Sequence, residues 1–117
     1  MSQHHKINYI EIPVKDIATS KAFFTQVFAW GFVDYGPDYA AITNAGIDGG
    51  IFLSDVTVSI ASGSVLVVLY SENLEQSQHR VIEYGGKTVK NIFAFPGGRR
   101  FHFCDPNGNE YAIWSDK

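Results

Sequence analysis

The fold is decided by a stretch of sequence that occurs twice. Tyr9–Asp16 reads YIEIPVKD and precedes an apolar helical pattern, and 57 positions later Leu66–Asn73 reads LVVLYSEN and precedes another. Each copy predicts a strand, a helix N-cap and a helix, because β-branched and apolar residues favour strands and Asp or Asn side chains accept from the first helical amides. Two copies are too few for a solenoid and predict paired modules around one cleft.

The residues after each copy complete a βαβββ pattern. In the first module, about 6–54, turn residues separate predicted strands at 32–35, 39–43 and 49–53. In the second, about 63–116, the strand at 65–70 is followed by a helix that opens at Asn73 and ends at Gly85-Gly86, and then by strands at 87–93, 99–104 and 109–115. The predicted fold class is α+β: one domain over residues 1–117, with tandem modules that form a curved mixed sheet.

Composition excludes several classes of protein. A net charge of −3, with nine scattered Lys and Arg residues, provides no basic surface for nucleic acid. The sequence has no run of about 18 apolar residues, so it predicts no membrane span. The first residues lack the apolar core of a signal peptide, and the single Cys104 cannot form an internal disulfide, so we expect a cytoplasmic protein.

Two motifs resemble those of the vicinal oxygen chelate superfamily, which includes glyoxalase I, bleomycin resistance proteins, fosfomycin resistance enzymes and extradiol dioxygenases. They are Ile-x-x-x-Glu-Ile-Pro-Val-x-Asp at 7–16 and Pro-Gly-Gly-Arg-Arg-Phe-x-Phe-x-Asp-Pro-x-Gly-Asn at 96–109. With the repeated βαβββ order, they are similar to small single-domain glyoxalase-like proteins. The resemblance implies the fold more strongly than a function, because this superfamily contains isomerases, transferases, dioxygenases and simple binders.

The resemblance also implies where a metal would bind. Metal-dependent relatives place His, Gln or Glu ligands on the first and last strands of each module, which here correspond to Tyr9, Leu66, about Gly50, and Ala112. Leu66, Gly50 and Ala112 carry no donor atom, and a shift of two from Gly50 reaches Phe52, which has none either. We therefore expect no metal and no other cofactor. A displaced divalent-metal site formed by Glu11, Glu110 and His102 is the alternative.

Strand alternation predicts which side chains line the cleft. We expect Tyr9, Glu11, Arg100, His102, Glu110 and Trp114 to share one surface, with Phe52 as a further ligand contact. Opposite them, against the helices, we expect the core residues, including Cys104 as a buried thiol: Ile10, Ile12, Phe101, Cys104, Tyr111 and Ile113. Glu11 and His102 are the candidate acid–base pair. In the competing interpretation, Glu11 and Arg100 form a structural ion pair to which His102 bonds.

The favoured function is a glyoxalase-like domain that binds a small, partly apolar organic ligand without metal. The first alternative is a lyase or isomerase related to glyoxalase I that uses Glu11 and His102. The second is a sequestering protein like the bleomycin resistance proteins, and the third is an accessory subunit without a ligand. By resemblance to single-domain relatives we also expect a homodimer.

Overall fold

The computed structural model describes residues 2–117, which divide into a first unit that ends at Val56 and a second that begins at Thr57. Each unit has the βαβββ order and one four-stranded mixed sheet, which confirms the predicted fold class. The elements are β1 (Tyr9–Val14), α1 (Ile17–Phe28), β2 (Gly31–Asp34), β3 (Tyr39–Thr43), β4 (Asp48–Leu53), β5 (Val67–Tyr70), α2 (Leu74–Glu83), β6 (Lys87–Phe95), β7 (Gly98–Cys104) and β8 (Glu110–Ser115).

In the first unit, the strands are ordered β1-β4-β3-β2, with β1 and β4 parallel and the other pairs antiparallel. Asp16 caps α1 as predicted, because its side chain accepts from the Thr19 amide at 2.8 Å. Alternate β1 residues, Ile12 and Val14, are buried together with Phe23 and Phe24 of α1. Burial of these apolar side chains leaves Tyr9 and Glu11 on the more exposed side of the strand.

In the second unit, the order is β5-β8-β7-β6, and again only the first pair is parallel. The Asn73 side chain accepts from the Gln76 amide at 3.1 Å, as in one half of a capping box. The Asn73 amide donates to the Ser71 hydroxyl at 3.0 Å, so Ser71 takes the place that the Gln76 side chain would have in a complete capping box. The buried side chains of α2 and of the sheet supply the core: Leu74, Val81, Phe101, Phe103, Tyr111 and Ile113.

The strand β6 departs from regular pairing at two places. Its register against β7 shifts between Thr88 and Lys90 and again between Lys90 and Phe93. Each β-bulge adds one residue to the strand, so residues three apart can face the same side. The bulges therefore allow both Lys90 and Phe93 to pair opposite the residues that carry the site described below.

The prediction that Cys104 faces the helices is wrong. Cys104 is paired with Glu110, and His102 is paired with Ala112 in the same antiparallel ladder. Side chains two residues apart on a strand point to the same face, so Cys104 shares the face of His102 and lies opposite to Phe101 and Phe103. Cys104 is only partly buried, whereas those two phenylalanines are fully buried.

The segment 57–62 makes its hydrogen bonds within the second unit. The Val58 amide donates to the Asn109 side chain at 2.9 Å, and the Ile60 amide donates to Glu110 at 2.9 Å. Asn109 closes the turn after β7, where Asp105 accepts from the Asn107 and Asn109 amides. Among residues 2–117, no helix has the length and apolar character needed to cross a bilayer.

Candidate functional site

On the first sheet, three polar side chains bond to one another. The Tyr39 hydroxyl donates to Glu11 Oε2 at 2.9 Å and shares a short hydrogen bond with the Tyr9 hydroxyl. Glu11 is paired with Gly50 across the parallel ladder, and the Tyr39 ring lies where a Gly50 side chain would be. The lack of a Cβ at position 50 therefore makes room for the phenol that binds Glu11.

The surroundings of Tyr39 favour its neutral form. Burial, followed by the hydrogen bonds with Tyr9 and Glu11, raises the pKa of Tyr39 well above its usual value of 10.0. A neutral phenol keeps the proton that it donates to the Glu11 carboxylate. The three polar groups of this cluster therefore bond to one another, although 45% of Tyr9 is exposed.

On the second sheet, a histidine and a carboxylate form a buried pair. His102 Nδ1 lies 2.9 Å from Glu110 Oε2, and the two side chains are only 9% and 12% exposed. The other carboxylate oxygen, Oε1, accepts from the Ile60 amide at 2.9 Å. Burial acts to raise the pKa of Glu110, but the hydrogen bonds from His102 and Ile60 and the charge of His102 together lower it below its ordinary value.

The ionised carboxylate of Glu110 fixes how the histidine can act. A carboxylate only accepts hydrogen bonds, so Nδ1 of His102 carries the proton in this pair. Nε2 is then a bare acceptor when the imidazole is neutral and a donor when it is protonated. It is buried and, within residues 2–117, has no hydrogen-bond partner. A buried polar atom without a partner is uncommon, which makes Nε2 a candidate contact for a water molecule or a ligand.

Arg100 lies two residues from His102 on the same face. Its Nε is likewise buried without a partner in the described chain. The guanidinium carbon lies 5.3 Å from the centre of the Phe93 ring and 5.9 Å from that of Phe95. Trp114, paired with Arg100, has its ring centre 6.5 Å from that of Phe95. The guanidinium therefore lies beside two aromatic rings, and a third ring, that of Trp114, packs against one of them.

These residues form two rows across the four strands. The first row consists of Phe93, Arg100, Trp114 and Tyr70, and the second of Lys90, His102, Ala112 and Val68. Tyr70 packs edge-on against Trp114, with ring centres 5.1 Å apart. One row is thus mainly aromatic, and its neighbour carries a lysine and the histidine. We call the surface formed by both rows the second-sheet face.

Comparison with known proteins places this architecture in a family. The model of the Glyoxalase/Bleomycin resistance protein/Dioxygenase superfamily matches residues 6–113. The chain belongs to this superfamily. The match confirms the resemblance that the two motifs indicated and covers nearly all of the chain. A search of curated proteins found no match.

Solved structures of the superfamily share the fold at low sequence identity. A glyoxalase-related enzyme from Fulvimarina pelagi is 22% identical with a TM-score of 0.77, covering 95% of this chain and 88% of the other. A glyoxalase/bleomycin resistance protein/dioxygenase family enzyme from Burkholderia phytofirmans PsJN is 15% identical with a TM-score of 0.79, and the match covers 94% of this chain and 98% of the other. The fosfomycin resistance protein FosX from Listeria monocytogenes is 17% identical with a TM-score of 0.77, and the match covers 97% of this chain and 94% of the other. These likenesses establish the fold alone.

The positions that correspond to metal ligands in the superfamily do not fit a metal ion here. Leu66 precedes β5, and Ala112 lies on β8, and neither has a donor atom. Gly50 has no side chain, and the Tyr9 hydroxyl is hydrogen-bonded to Tyr39. Across residues 2–117 there is no group of three or more His, Cys, Asp or Glu side chains arranged for a metal.

The structure places the predicted site residues in two groups. Tyr9, Glu11 and Phe52 belong to the first sheet, where Phe52 is half-buried and pairs with Tyr39. The second-sheet face contains Arg100, His102 and Trp114, and Glu110, two residues before Ala112 on β8, bonds to His102. Glu11 and His102 each bond to a partner within their own unit, so their acid–base pairing stays a prediction.

Sequence reasoning missed three contributors to the second-sheet face. Lys90 and Phe93 were hidden by the bulges of β6, which break simple alternation. Tyr70 was assigned to a strand but not to the site. The alternating aromatic residues Phe93 and Phe95 were the available signal, since such spacing predicts rings on one face of a strand.

A separate cavity of about 320 Å³ lies in the first unit. Its only ionisable side chain is that of Asp48, and none of the predicted site residues lines it. It is formed by the residues before β1 and the turn between β3 and β4: Ile7, Asn8, Asn44, Ala45, Gly46, Ile47 and Asp48. It offers no reactive or aromatic group comparable to the second-sheet face.

Proposed function

We propose that this superfamily member binds a small, partly apolar organic molecule on the second-sheet face without a metal. The observation that carries the proposal is the pair of buried nitrogen atoms, Arg100 Nε and His102 Nε2, that have no partner in the described chain. Leaving such groups unpaired costs stability, whereas a ligand with hydrogen-bonding groups would satisfy them. The neighbouring rings of Phe93, Phe95 and Trp114 supply apolar contact area.

The test is a ligand screen that reports on this face. The Trp114 indole N–H should shift in NMR spectra when members of a panel of small neutral and charged aromatic compounds bind, and binding should raise the melting temperature. Trp30 is buried against Phe24 and serves as the internal control. Trp114→Phe should remove the reporter without unfolding the protein. A broad panel that leaves Trp114 unchanged would refute this function.

A second candidate function is acid–base catalysis by a lyase or isomerase. The His102–Glu110 hydrogen bond of 2.9 Å favours it, because a carboxylate that orients an imidazole leaves Nε2 available as a base. The pairing expected from the sequence joined His102 to Glu11, and that role of Glu11 remains a hypothesis. Turnover of a hemithioacetal, lost in His102→Gln, would support catalysis. Binding without turnover would favour the sequestering alternative.

Two further parts of the proposal concern the metal and the assembly. Since three of the four inherited ligand positions, Leu66, Gly50 and Ala112, have no donor atom, elemental analysis of purified protein should find no stoichiometric transition metal. A near-equimolar metal that disappears in Glu11→Ala or His102→Ala would instead indicate the displaced site. We also propose a homodimer, which sedimentation would contradict if only a 13.0 kDa species were found at micromolar concentration.

A further inference from the structure

Three basic side chains surround one aromatic ring on the second-sheet face. Lys90 Nζ lies 4.3 Å from the centre of the Phe93 ring, the Arg100 guanidinium carbon lies 5.3 Å from it, and the His102 ring centre lies 6.1 Å from it. The two bulges of β6 create this arrangement, because they bring Lys90 opposite His102 and Phe93 opposite Arg100.

The two cations at this face have no carboxylate partner within the described chain. Facing residues on β6, β7 and β8 supply Lys90, Arg100, His102, Cys104 and Glu110, while β5 contributes the uncharged Val68 and Tyr70. Glu110 is bonded to His102 and to the Ile60 amide, and Asp116, which follows β8, accepts from the Tyr70 hydroxyl at 2.5 Å. Across residues 2–117, neither carboxylate forms an ion pair with Lys90 or Arg100. The unpaired cations beside the Phe93 ring therefore favour an anionic ligand.

The two unpartnered nitrogen atoms, Arg100 Nε and His102 Nε2, would bind different hydrogen-bonding groups of a ligand. Arg100 Nε is a donor and requires an acceptor such as an oxyanion, and a guanidinium binds carboxylates with particular strength. When His102 is neutral, Nε2 is an acceptor while Nδ1 donates to Glu110, and this form requires a hydroxyl or another donor. Alternate residues of a strand are about 6–7 Å apart, so the oxyanion and the hydroxyl should lie at opposite ends of a small apolar body.

Resting on the function proposed above, we propose that the ligand is a hydroxylated aromatic carboxylate. Its carboxylate binds Lys90 and Arg100, its ring contacts Phe93 and Trp114, and its hydroxyl donates to His102 Nε2. This assignment deepens the proposed function by giving the chemical class of the ligand. It names two binding residues, Lys90 and Phe93, that the sequence patterns did not single out.

The test compares three probes that differ in one group each: 4-hydroxybenzoate, benzoate and methyl 4-hydroxybenzoate. We expect 4-hydroxybenzoate to bind at least about tenfold more tightly than either of the others, because benzoate lacks the hydroxyl that bonds to His102 and the methyl ester lacks the charge that binds Lys90 and Arg100. NMR titration that follows the Trp114 indole gives the affinities. The isomer 2-hydroxybenzoate, with its two groups adjacent, should bind no better than benzoate.

Variants assign each contact. Lys90→Met and Arg100→Met should weaken both acids and leave the methyl ester unchanged, and His102→Leu should erase the difference between 4-hydroxybenzoate and benzoate. Lys87→Met, an exposed charge change on the same strand, is the matched control and should have no effect. Lys90 is exposed, so its variant should fold even if Arg100→Met does not.

The outcomes separate this inference from the proposed function. If the methyl ester or other neutral compounds shift Trp114 as strongly as the acids, the face binds ligands but the anionic class is wrong. Equal binding of inorganic phosphate and 4-hydroxybenzoate would also overturn it, because the ring would then contribute nothing. If no compound, neutral or charged, shifts Trp114, the proposed function fails together with the inference.

Discussion

On the first sheet, Tyr39 lies between Glu11 and Tyr9 and bonds to both, whereas on the second sheet His102 bonds to Glu110 on one side only. Each cluster belongs to its own βαβββ unit: the first joins β1 and β3, and the second joins β7 and β8. The first uses a glycine to admit a phenol that satisfies its carboxylate, and the second leaves two buried nitrogen atoms without a partner. The difference indicates which sheet has polar groups left for a ligand.

The largest expected effect comes from removing the carboxylate of the second sheet. Glu110→Leu leaves the His102 Nδ1 proton and the Ile60 amide without an acceptor, so the free energy of unfolding should fall by about 2–4 kcal/mol. Glu11→Leu, its matched control, removes one exposed hydrogen bond and should cost less than about 1 kcal/mol. Chemical denaturation measures both. Equal losses would contradict the contrast between the two sheets.

A smaller effect is expected from Gly50→Ala. The new Cβ would overlap the Tyr39 ring, which must rotate away and release Glu11. We expect a loss of about 1 kcal/mol, similar to one hydrogen bond, because the clash is with the far end of a side chain. In the double variant Gly50→Ala/Tyr39→Ala this additional loss should disappear. An additive double variant would show that Tyr39 does not fill this space.

Lowering the pH should reduce the stabilising contribution of Glu110 on the second sheet. The folded-state pKa of Glu110 is lowered, so its stabilising contribution is present above the unfolded pKa of about 4.3 and is lost as the pH falls through the folded value. The difference in unfolding free energy between the wild type and Glu110→Gln should therefore shrink as the pH is lowered from 7 toward 3. A difference that stays constant over this range would contradict the ionised pair.

Alkali should act on the first sheet. The folded-state pKa of Tyr39 is raised, so its contribution is fully present below the unfolded pKa of about 10 and is lost as the pH rises through the folded value. Above pH 10 the wild type should therefore lose stability more steeply than Tyr39→Phe. Denaturation at stepped alkaline pH measures the two slopes, and parallel slopes would argue against a hydrogen-bonded, neutral Tyr39.

The fold was largely predictable because its determinants are local. Asp16 and Asn73 begin their helices as predicted, since an N-cap side chain needs only the next turn of the chain. Strand β3 has the predicted ends, and β7 begins one residue earlier than predicted. Strand β5 begins at Val67 and not at Val65, because apolar character alone does not define where pairing with β8 begins.

The candidate site was predictable only in part because it depends on register. Alternation correctly separated Glu11 from Ile12 on β1, but the sequence did not show that Tyr39 would reach across Gly50 to Glu11. Likewise, the His102–Glu110 contact joins diagonal neighbours on two strands, which requires the pairing of β7 with β8 to be known. The position of Lys90 depends on the two bulges of β6, which the local sequence pattern does not predict.

The central claim is that the second sheet, and not the first, binds the ligand. An NMR titration of isotope-labelled protein with 4-hydroxybenzoate tests it most directly. We predict that the shifts concentrate on the Trp114 indole, the Arg100 Nε–H and the His102 ring, while Tyr9, Glu11 and Tyr39 remain unchanged. Shifts centred on Tyr9, Glu11 and Tyr39, with none at Arg100 or His102, would contradict the claim.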